Sequence, residues 1–303
     1  MSQRPIKILT KTAELRAPVS PPPFAKYVEL FQEILPNAET VCIDRMDYDL
    51  AGADVFNVGD HVFLTNEARA YLAAQCEKCH RVIHVMDDYK SRIPSQMVSA
   101  ILDKPNVALT TVPELKKPRW VKEVIYYNFN RWRYNPLPIV EPTINKILFY
   151  GTKRPGRVKT FEKFLGPGAE KHVVVSCSVG NMMWFDQFNP ELVYINRIRI
   201  PHDIQKYALS LYLVDGMPLY EGPSNRFYES LSAGVGMIFS PNCKTNFPDL
   251  EIEPFIVQGP QDYAEFLGRS AEIRAAQLAW RSDTIITDRV NQLVEVLQCV
   301  LQS

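Results

Sequence analysis

Short apolar runs alternate along this chain with stretches in which apolar residues recur every three or four positions. In the first half these patterns predict strands at Ile6–Leu9, Thr40–Ile43, His61–Leu64, Arg81–Met86 and Val107–Thr110, and helices at Phe24–Leu35, Asn66–Cys79 and Ser95–Leu102. Regular alternation of this kind is typical of a mostly parallel sheet with helices on both faces, so the sequence predicts an α/β fold.

The second half follows a proline-rich segment and repeats the alternation. Asn135–Pro142, N-P-L-P-I-V-E-P, is predicted to be a linker. After it come predicted strands at Asn145–Tyr150, His172–Ser176, Glu191–Ile200, Ala208–Val214 and Val235–Phe239, a turn at Ser178–Asn181, and helices at Pro201–Tyr207, Asn225–Ala233, Asp262–Gln277 and Thr287–Leu301. A chain of 303 residues is long enough for two domains, which we place at 1–140 and 141–286.

The composition narrows the partners that this chain can attract. Lysine and arginine number 34, as do aspartate and glutamate, so no net charge draws the protein to nucleic acid or to a membrane. No apolar run reaches the roughly 20 residues of a transmembrane helix, and the N-terminus lacks the apolar core of a signal peptide. We therefore expect a cytoplasmic protein with no membrane partner.

Six cysteines are scattered along the chain, which favours free thiols in a reducing compartment. Cys76–His80 matches the C-x-x-C-H pattern of haem attachment, but it lies in a helical pattern and no second ligand pair stands at a useful spacing. Cys76 and Cys79 are therefore predicted to pack on the buried face of that helix.

A glycine-containing basic loop follows the predicted strand Asn145–Tyr150. It carries Gly151, Lys153, Arg154, Arg157 and Lys159 and leads into an amphipathic helix. Backbone N–H groups, the helix dipole and the cations together favour a phosphate group at such a loop. Alone, the same loop is also compatible with a solvated surface.

The stretch Tyr220–Phe239 holds two glutamates, Glu221 and Glu229, eight positions apart. Glu221 lies in a turn-prone segment, Ser224 can serve as an N-cap, and Glu229 lies inside the predicted helix. Gly234 is predicted to end that helix. Two fixed carboxylates near a helix N-terminus can hold sugar hydroxyls while the helix end favours phosphates. A capped surface helix with solvated glutamates is the alternative.

This stretch resembles the donor-binding segment of GT-B glycosyltransferases, especially the retaining members that carry E-x7-E. Glu229–Gly234, E-S-L-S-A-G, matches the family's Glu-Ala-x-Ala-x-Gly, and Arg154 and Lys159 stand in the R-x4-K spacing that these enzymes use against the donor diphosphate. Pro223–Asn225 departs from the Phe-Gly turn of many members. The resemblance covers about Lys146–Ser240, and the first half matches only in its strand–helix rhythm.

The resemblance implies two Rossmann-like domains facing across a cleft, with a terminal helix at about 287–303 that packs back on the first domain. It implies a nucleoside diphosphate sugar as donor, with Glu221 on the transferred sugar and Glu229 on the ribose. It also implies retention at the anomeric carbon. Asn225 and Arg226, at the start of the same helix, are further donor-binding candidates.

No resident cofactor is expected beside the nucleotide-sugar co-substrate. No required metal is expected either, because no carboxylate or histidine cluster has metal-ligand spacing. The sequence favours no particular oligomeric state.

Asp87 and Asp88 follow the predicted strand Arg81–Met86 at its carboxyl end. Ligands of open α/β sheets bind outside those ends, so either carboxylate is a candidate catalytic group that touches the sugar or the acceptor hydroxyl. The alternative is that these aspartates cap the next turn. His84, inside the strand, is predicted to be a packed core histidine.

Basic and aromatic residues interleave in the segment Lys116–Tyr134. Basic side chains bind phosphates and aromatic faces stack on exposed bases in nucleic-acid complexes. A domain edge with buried aromatics and solvated lysines is the alternative. Because the segment lies between the predicted domains, its candidate acceptor-binding residues are Lys116, Lys117, Arg119, Trp120, Arg131, Trp132 and Arg133.

Together these patterns favour a glycosyltransferase that moves a sugar to an acceptor hydroxyl. The acceptor we predict is a hydroxymethylated pyrimidine in DNA, as in bacteriophage-type DNA-base glycosyltransferases, since the chain has no basic amphipathic membrane helix. A glycan or small-molecule acceptor and a non-catalytic sugar-nucleotide-binding protein are the alternatives. An NAD-dependent epimerase is disfavoured, because no G-x-G-x-x-G follows a strand and no Tyr-x-x-x-Lys pair is present.

Overall fold

The structure is a computed structural model that describes residues 4–10, 28, 31–58, 64–86, 95–110, 119–126, 136–151, 155–196, 201–214, 225–247, 250–282 and 287–302. The chain divides into two compact units, Met1–Arg133 with Ile286–Ser303, and Tyr134–Ile285. Each unit contains one parallel β-sheet packed against helices.

The strands are β1 Ile6–Thr10, β2 Glu39–Cys42, β3 Asp54–Asn57, β4 Arg81–Met86, β5 Asn106–Thr110, β6 Glu123–Tyr126, β7 Ile144–Tyr150, β8 Val173–Cys177, β9 Val193–Asn196, β10 Tyr207–Tyr212 and β11 Gly236–Phe239. The helices with described bounds are α1 Asn66–Cys76, α2 Ser95–Ile101, α3 Val158–Leu165, α4 Val179–Asp186, α5 Pro201–Ile204, α6 Asn225–Ala233, α7 Tyr263–Gly268, α8 Ser270–Ser282 and α9 Thr287–Gln302. Residue 28 and residues 31–34 are also helical.

The first sheet has the order β2-β1-β3-β4-β5-β6, and all of its pairs are parallel. Side chains alternate between its two faces, as the period of two along a strand requires. Ile8 and Phe56 point into a cluster that includes Leu297 and Val300 of α9. Leu9 packs on the other face, in a cluster that contains residues of α1 and α2. The sheet is therefore covered on both faces, as the strand–helix alternation predicted.

A buried ion pair fastens α9 to the first sheet. Arg81, the first residue of β4, donates from Nε to Asp54 Oδ1 at 2.8 Å, and both side chains are at most 5% exposed. The same guanidinium donates to the carbonyl oxygens of Val300 and Leu301 in the last turn of α9. The helix end thus gains donors for carbonyls that have no partner within the helix.

Residues 61–63 of the predicted strand His61–Leu64 lie outside the described residues, and Leu64 is not in a strand. The strand that pairs with β1 and β4 is β3, at Asp54–Asn57, which was not predicted. The residues at both ends of β3 are polar, so the sequence pattern does not indicate a buried strand there. Asp54 is buried against Arg81 and Asn57 against His84, and both contacts join residues that are distant in sequence.

The second sheet has the order β11-β10-β7-β8-β9 and is also fully parallel. The chain runs outward from β7 through β8 to β9, then crosses back to place β10 beside β7. The strand order therefore reverses between β7 and β10, which is the position where open α/β sheets bind ligands, outside the carboxyl ends of the strands.

Two local predictions in the second unit were wrong. The predicted turn at Ser178–Asn181 is the start of α4, with Ser178 at the N-cap position. The predicted single helix Asp262–Gln277 is a 3-10 turn followed by α7 and α8, which are separated at Arg269. By contrast, α6 has the predicted ends.

Residues 137–141, within the proline-rich segment Asn135–Pro142, lie along the second unit and are here called the strap. Leu137 N donates to Ser232 O at 2.9 Å, and Gln205 Nε2 donates to Pro138 O at 2.7 Å. On α8, Arg281 donates to Leu137 O and Arg274 donates to Val140 O. These bonds fix the backbone of the strap against the C-terminal end of α6 and one side of α8.

Within the described part of the chain, the longest helices are too short or too polar to cross a lipid bilayer. All six cysteines are free. Cys76 and Cys79 are buried as predicted, but α1 ends at Cys76, so Cys79 lies three residues beyond the helix and not on its face.

Candidate functional site

The carboxyl ends of β7 and β10 bring together the two segments that the sequence singled out. The basic loop starts at Gly151, directly after β7, and the E-x7-E stretch leads from β10 into α6. Because β7 and β10 are paired in parallel, these ends lie at the same edge of the second sheet.

Arg226 lies against the end of β7. Its guanidinium carbon is 5.7 Å from the centre of the buried Phe149 ring. A Cβ atom at Gly151 would stand 3.2 Å from Phe149 Cζ and 3.4 Å from Arg226 Nη2. The absence of a side chain at Gly151 therefore lets the guanidinium approach the strand end, where it presents a positive charge.

Tyr150, the last residue of β7, joins this strand to α6. Its hydroxyl donates to Arg226 O at 3.1 Å and lies 3.3 Å from Ser230 Oγ. Its half-buried ring packs with Ala233 and Val235 against one face of the sheet. Tyr150 was not among the predicted site residues, although its position directly before Gly151 could have indicated a role at the strand end.

Arg157 links the basic loop to β10. It is the last residue of a 3-10 turn, Pro155–Arg157, and its Nη1 donates to Leu213 O at 3.3 Å, just beyond the end of β10. Burial raises the pKa of the nearby Cys243 thiol to about 11, opposed by hydrogen bonds with Ser240 and by the charge of Arg157. The thiol therefore stays protonated at neutral pH and does not neutralise the guanidinium.

Lys159 lies in the first turn of α3 and is exposed to solvent. Its partner in the R-x4-K spacing, Arg154, lies outside the described residues. Arg157, another cation of this loop, is bonded to the backbone just beyond β10.

Glu229 and Arg226 lie on the same face of α6, because they are three residues apart in a helix. Both side chains are half-buried. Asn225 is the first residue of α6, so the N-terminus of this helix, with its positive dipole end, lies in the same part of the sheet edge. The arrangement can hold an anion beside the helix start and a hydroxyl-bearing group beside Glu229.

Several predicted site residues lie outside the described part of the chain, and their roles stay predictions. These are Asp87, Asp88, Lys116, Lys117, Arg131, Trp132, Arg133, Lys153, Arg154 and Glu221.

The first unit has buried polar groups at the matching edge of its own sheet. Thr10 and Asn57 end β1 and β3, between which the strand order reverses. Asn57 Nδ2 lies 3.3 Å from Nδ1 of His84, which is buried as predicted. The half-buried Trp120 packs edge-on against His84 with ring centres 4.7 Å apart, whereas Arg119 is exposed. Trp120 thus has a packing role in this unit, and its predicted acceptor role stays a prediction.

Among the described residues, no group of three or more histidine, cysteine, aspartate or glutamate side chains is placed to hold a metal ion.

No family model and no curated protein matches this chain. Solved structures match it over nearly its whole length. T4 phage BGT in complex with UDP and Mn²⁺ aligns with 99% of this chain and 100% of its own, with a TM-score of 0.66 and 13% identity. An alpha-glucosyltransferase bound to UDP and a 13-mer DNA aligns with 93% of each chain, with a TM-score of 0.56 and 12% identity. Anabaena HepE in complex with UDP and glucose aligns with 97% of this chain and 99% of its own, with a TM-score of 0.55 and 11% identity.

At such low sequence identity, the similarity of the structures establishes the fold alone. The chain has the α/β fold with two Rossmann-like units that the resemblance to GT-B glycosyltransferases implied, over its full length and including the half in which no motif was found.

Proposed function

We propose that this protein is a glycosyltransferase that binds a nucleoside diphosphate sugar at the carboxyl ends of β7 and β10. The observation that carries the proposal is the placement of Arg226 and Arg157 at the ends of these adjacent strands, beside the N-terminus of α6. Two guanidiniums and a helix N-terminus are suited to a diphosphate. Neighbours in fold that were solved in complex with UDP or UDP-glucose support the choice of ligand.

The donor would be held by groups with separate tasks. Arg226 and Arg157 would bind the diphosphate, with Lys153, Arg154 and Lys159 as further cations of the same loop. Glu229 would accept hydrogen bonds from the ribose hydroxyls. Glu221 would do the same for the transferred sugar. Gly151 would keep the strand end free of a side chain, and Asn225 would offer a backbone N–H at the helix start.

The rate would rise because the leaving group is charged. As the glycosidic bond breaks, negative charge grows on the diphosphate, and fixed guanidiniums stabilise that charge more in the transition state than in the ground state. Asp87 and Asp88, which follow β4, are proposed to contact the acceptor hydroxyl. Retention at the anomeric carbon is proposed from E-x7-E. The neighbours include one named alpha- and another named beta-glucosyltransferase, so the product configuration has to be measured by NMR.

The acceptor we propose is a hydroxymethylated pyrimidine in DNA. Support comes from one neighbour described as a DNA modifying enzyme and another bound to a 13-mer DNA. Lys116, Lys117, Arg119, Arg131 and Arg133 would contact phosphates, and Trp120 or Trp132 would stack on the target base. The likeness to HepE, which was solved in complex with UDP and glucose, keeps a glycan or small-molecule acceptor as the second candidate.

The decisive experiment offers UDP-glucose and a duplex that contains 5-hydroxymethylcytosine, in EDTA and with added Mn²⁺. We expect the oligonucleotide to gain the mass of one hexosyl unit, while an unmodified duplex stays unchanged, and we expect no requirement for metal. Hydrolysis of UDP-glucose or transfer to free sugars without transfer to DNA would favour the second candidate. A rise in melting temperature with UDP but no turnover would indicate a binder without catalysis.

A pair of substitutions tests the donor site itself. Arg226→Gln and Glu229→Gln are each expected to weaken UDP binding by roughly 1.5–3 kcal/mol, because a charge-assisted contact is lost. Arg269→Gln and Glu272→Gln are matched controls, since these two residues form an exposed ion pair, with Arg269 between α7 and α8 and Glu272 in the first turn of α8. Calorimetric titration that finds all four variants equal to the parent would overturn the site.

A further inference from the structure

We infer that Tyr150 is a positioning residue for the donor site: its hydroxyl sets the place of the first turn of α6 relative to the end of β7. The inference rests on the proposed function, because it concerns the binding of the same nucleoside diphosphate. Tyr150 itself is not expected to touch the ligand.

The hydroxyl of Tyr150 contacts both ends of one helical turn. It donates to the carbonyl oxygen of Arg226, the second residue of α6, at 3.1 Å. It also lies 3.3 Å from the hydroxyl of Ser230, four residues later and fully buried. Residues four apart stack along one side of a helix, so a single group on the strand fixes this side of the turn in two places.

Arg226 is thereby held through its backbone as well as through its side chain. Tyr150 binds its carbonyl, while its guanidinium lies over Phe149 and beside Gly151. The three consecutive residues 149–151 at the end of β7 therefore determine the position of the Arg226 guanidinium. A shift of the helix start would move Arg226 and Glu229 together, because both belong to α6.

The ring of Tyr150 keeps its own packing when the hydroxyl is removed. It belongs to the cluster formed by Leu148, Ala233 and Val235, which is apolar contact that phenylalanine also makes. Tyr150→Phe thus removes two polar contacts and leaves the apolar ones. Loss of one neutral hydrogen bond is expected to weaken UDP binding roughly three- to tenfold.

Tyr263→Phe is the matched control. The hydroxyl of Tyr263 donates to Phe164 O at 2.7 Å within the apolar core of the same unit, and the residue is fully buried. Its removal is expected to lower the stability of the protein and to leave UDP affinity unchanged. A variant that acts only through stability should behave as this control does.

The experiment measures UDP affinity by calorimetry and stability by urea unfolding for the full chain, with and without Arg226→Gln. We expect Tyr150→Phe to weaken binding in the parent and to have a smaller effect once Arg226 is replaced, because coupled contacts are not additive and only the shift of Glu229 then remains. Ser230→Ala, which spares the bond to Arg226 O, is expected to have a smaller effect than Tyr150→Phe.

Three results separate the possible failures. If the parent binds UDP but the UDP affinity of Tyr150→Phe equals that of Tyr263→Phe, the positioning role is overturned and the proposed function stands. If Tyr150→Phe weakens binding equally with and without Arg226, Tyr150 does not act through Arg226 and the inference is also overturned. If the parent binds neither UDP nor any other nucleoside diphosphate, the proposed function fails and the inference fails with it.

Discussion

At the scale of single residues, Gly151 tests how tightly the candidate site is built. In Gly151→Ala the new methyl group would stand 3.2 Å from Phe149 Cζ and 3.4 Å from Arg226 Nη2. The Phe149 ring is buried in the core, so we expect the guanidinium to yield and UDP affinity to fall roughly two- to tenfold. Titration calorimetry measures the change.

Gly156 provides the control for this prediction in the same loop. A Cβ atom there has no neighbour within 4 Å, so Gly156→Ala is expected to leave UDP affinity unchanged. Equal affinity in both variants would show that Arg226 does not bind the ligand from its observed position.

The segments of the candidate site could be located from the sequence, whereas the donor-binding roles of their residues stay predictions. The sequence pattern located the basic loop and the helix that carries Arg226 and Glu229, because glycine, cations and cap signals are local. It did not show that Arg157 bonds to Leu213 O beyond β10, because that contact joins residues 56 positions apart. Nor could it find Tyr150, whose partners lie about 80 residues away.

At the scale of elements, the end of α6 depends on one glycine. Gly234 has φ +67°, and the two hydrogen bonds Gly234 N to Leu231 O and Val235 N to Ser230 O close the helix in a Schellman motif. Gly234→Ala is expected to reduce the free energy of unfolding by about 1 kcal/mol, because only glycine adopts this backbone conformation without strain. Urea unfolding measures the loss.

Gly180→Ala is the comparison for Gly234→Ala. Gly180 lies inside α4, where a Cβ atom has open space, so alanine is expected to be neutral or to stabilise by about 0.5–1 kcal/mol. A similar loss in both variants would contradict the role given to backbone conformation.

Elements with local signals were predicted, and elements defined by distant contacts were not. The ends of α6 follow from the predicted cap region and from Gly234. β3 was missed because Asp54 and Asn57 are polar, and only their partners on β4 explain their burial. α4 was taken for a turn because Ser178–Asn181 has the composition of one, although Ser178 is the helix N-cap.

At the scale of the whole molecule, the buried Arg81 connects the last helix of the chain to the first unit. Arg81→Met would leave Asp54 buried without its cation and would remove the donor to the carbonyls of α9. Loss of one partner of a buried ion pair is expected to cost about 3–5 kcal/mol. Urea unfolding, and hydrogen exchange of the amides of α9, measure this effect.

The exposed pair Arg269–Glu272 is the control for Arg81. Arg269→Met is expected to change stability by less than about 1 kcal/mol, because exposed ion pairs are screened by water. If the two arginine variants are equally stable, Arg81 does not fasten α9. The resemblance implied this return of the terminal helix, but the burial of an arginine beneath it was not visible in the sequence.

The hydrogen bonds of the strap restrict where this chain can be recombined with a related one. Because its backbone is bonded to Ser232, Gln205 and the arginines of α8, the second unit carries residues 137–141 as part of its own structure. A recombination breakpoint inside the strap would replace some of the residues that form these bonds with those of the other protein. A breakpoint before residue 137 would keep the strap and its partners in one inherited segment. Viable hybrids of this chain with a related one are therefore expected to have their junction on the N-terminal side of Leu137.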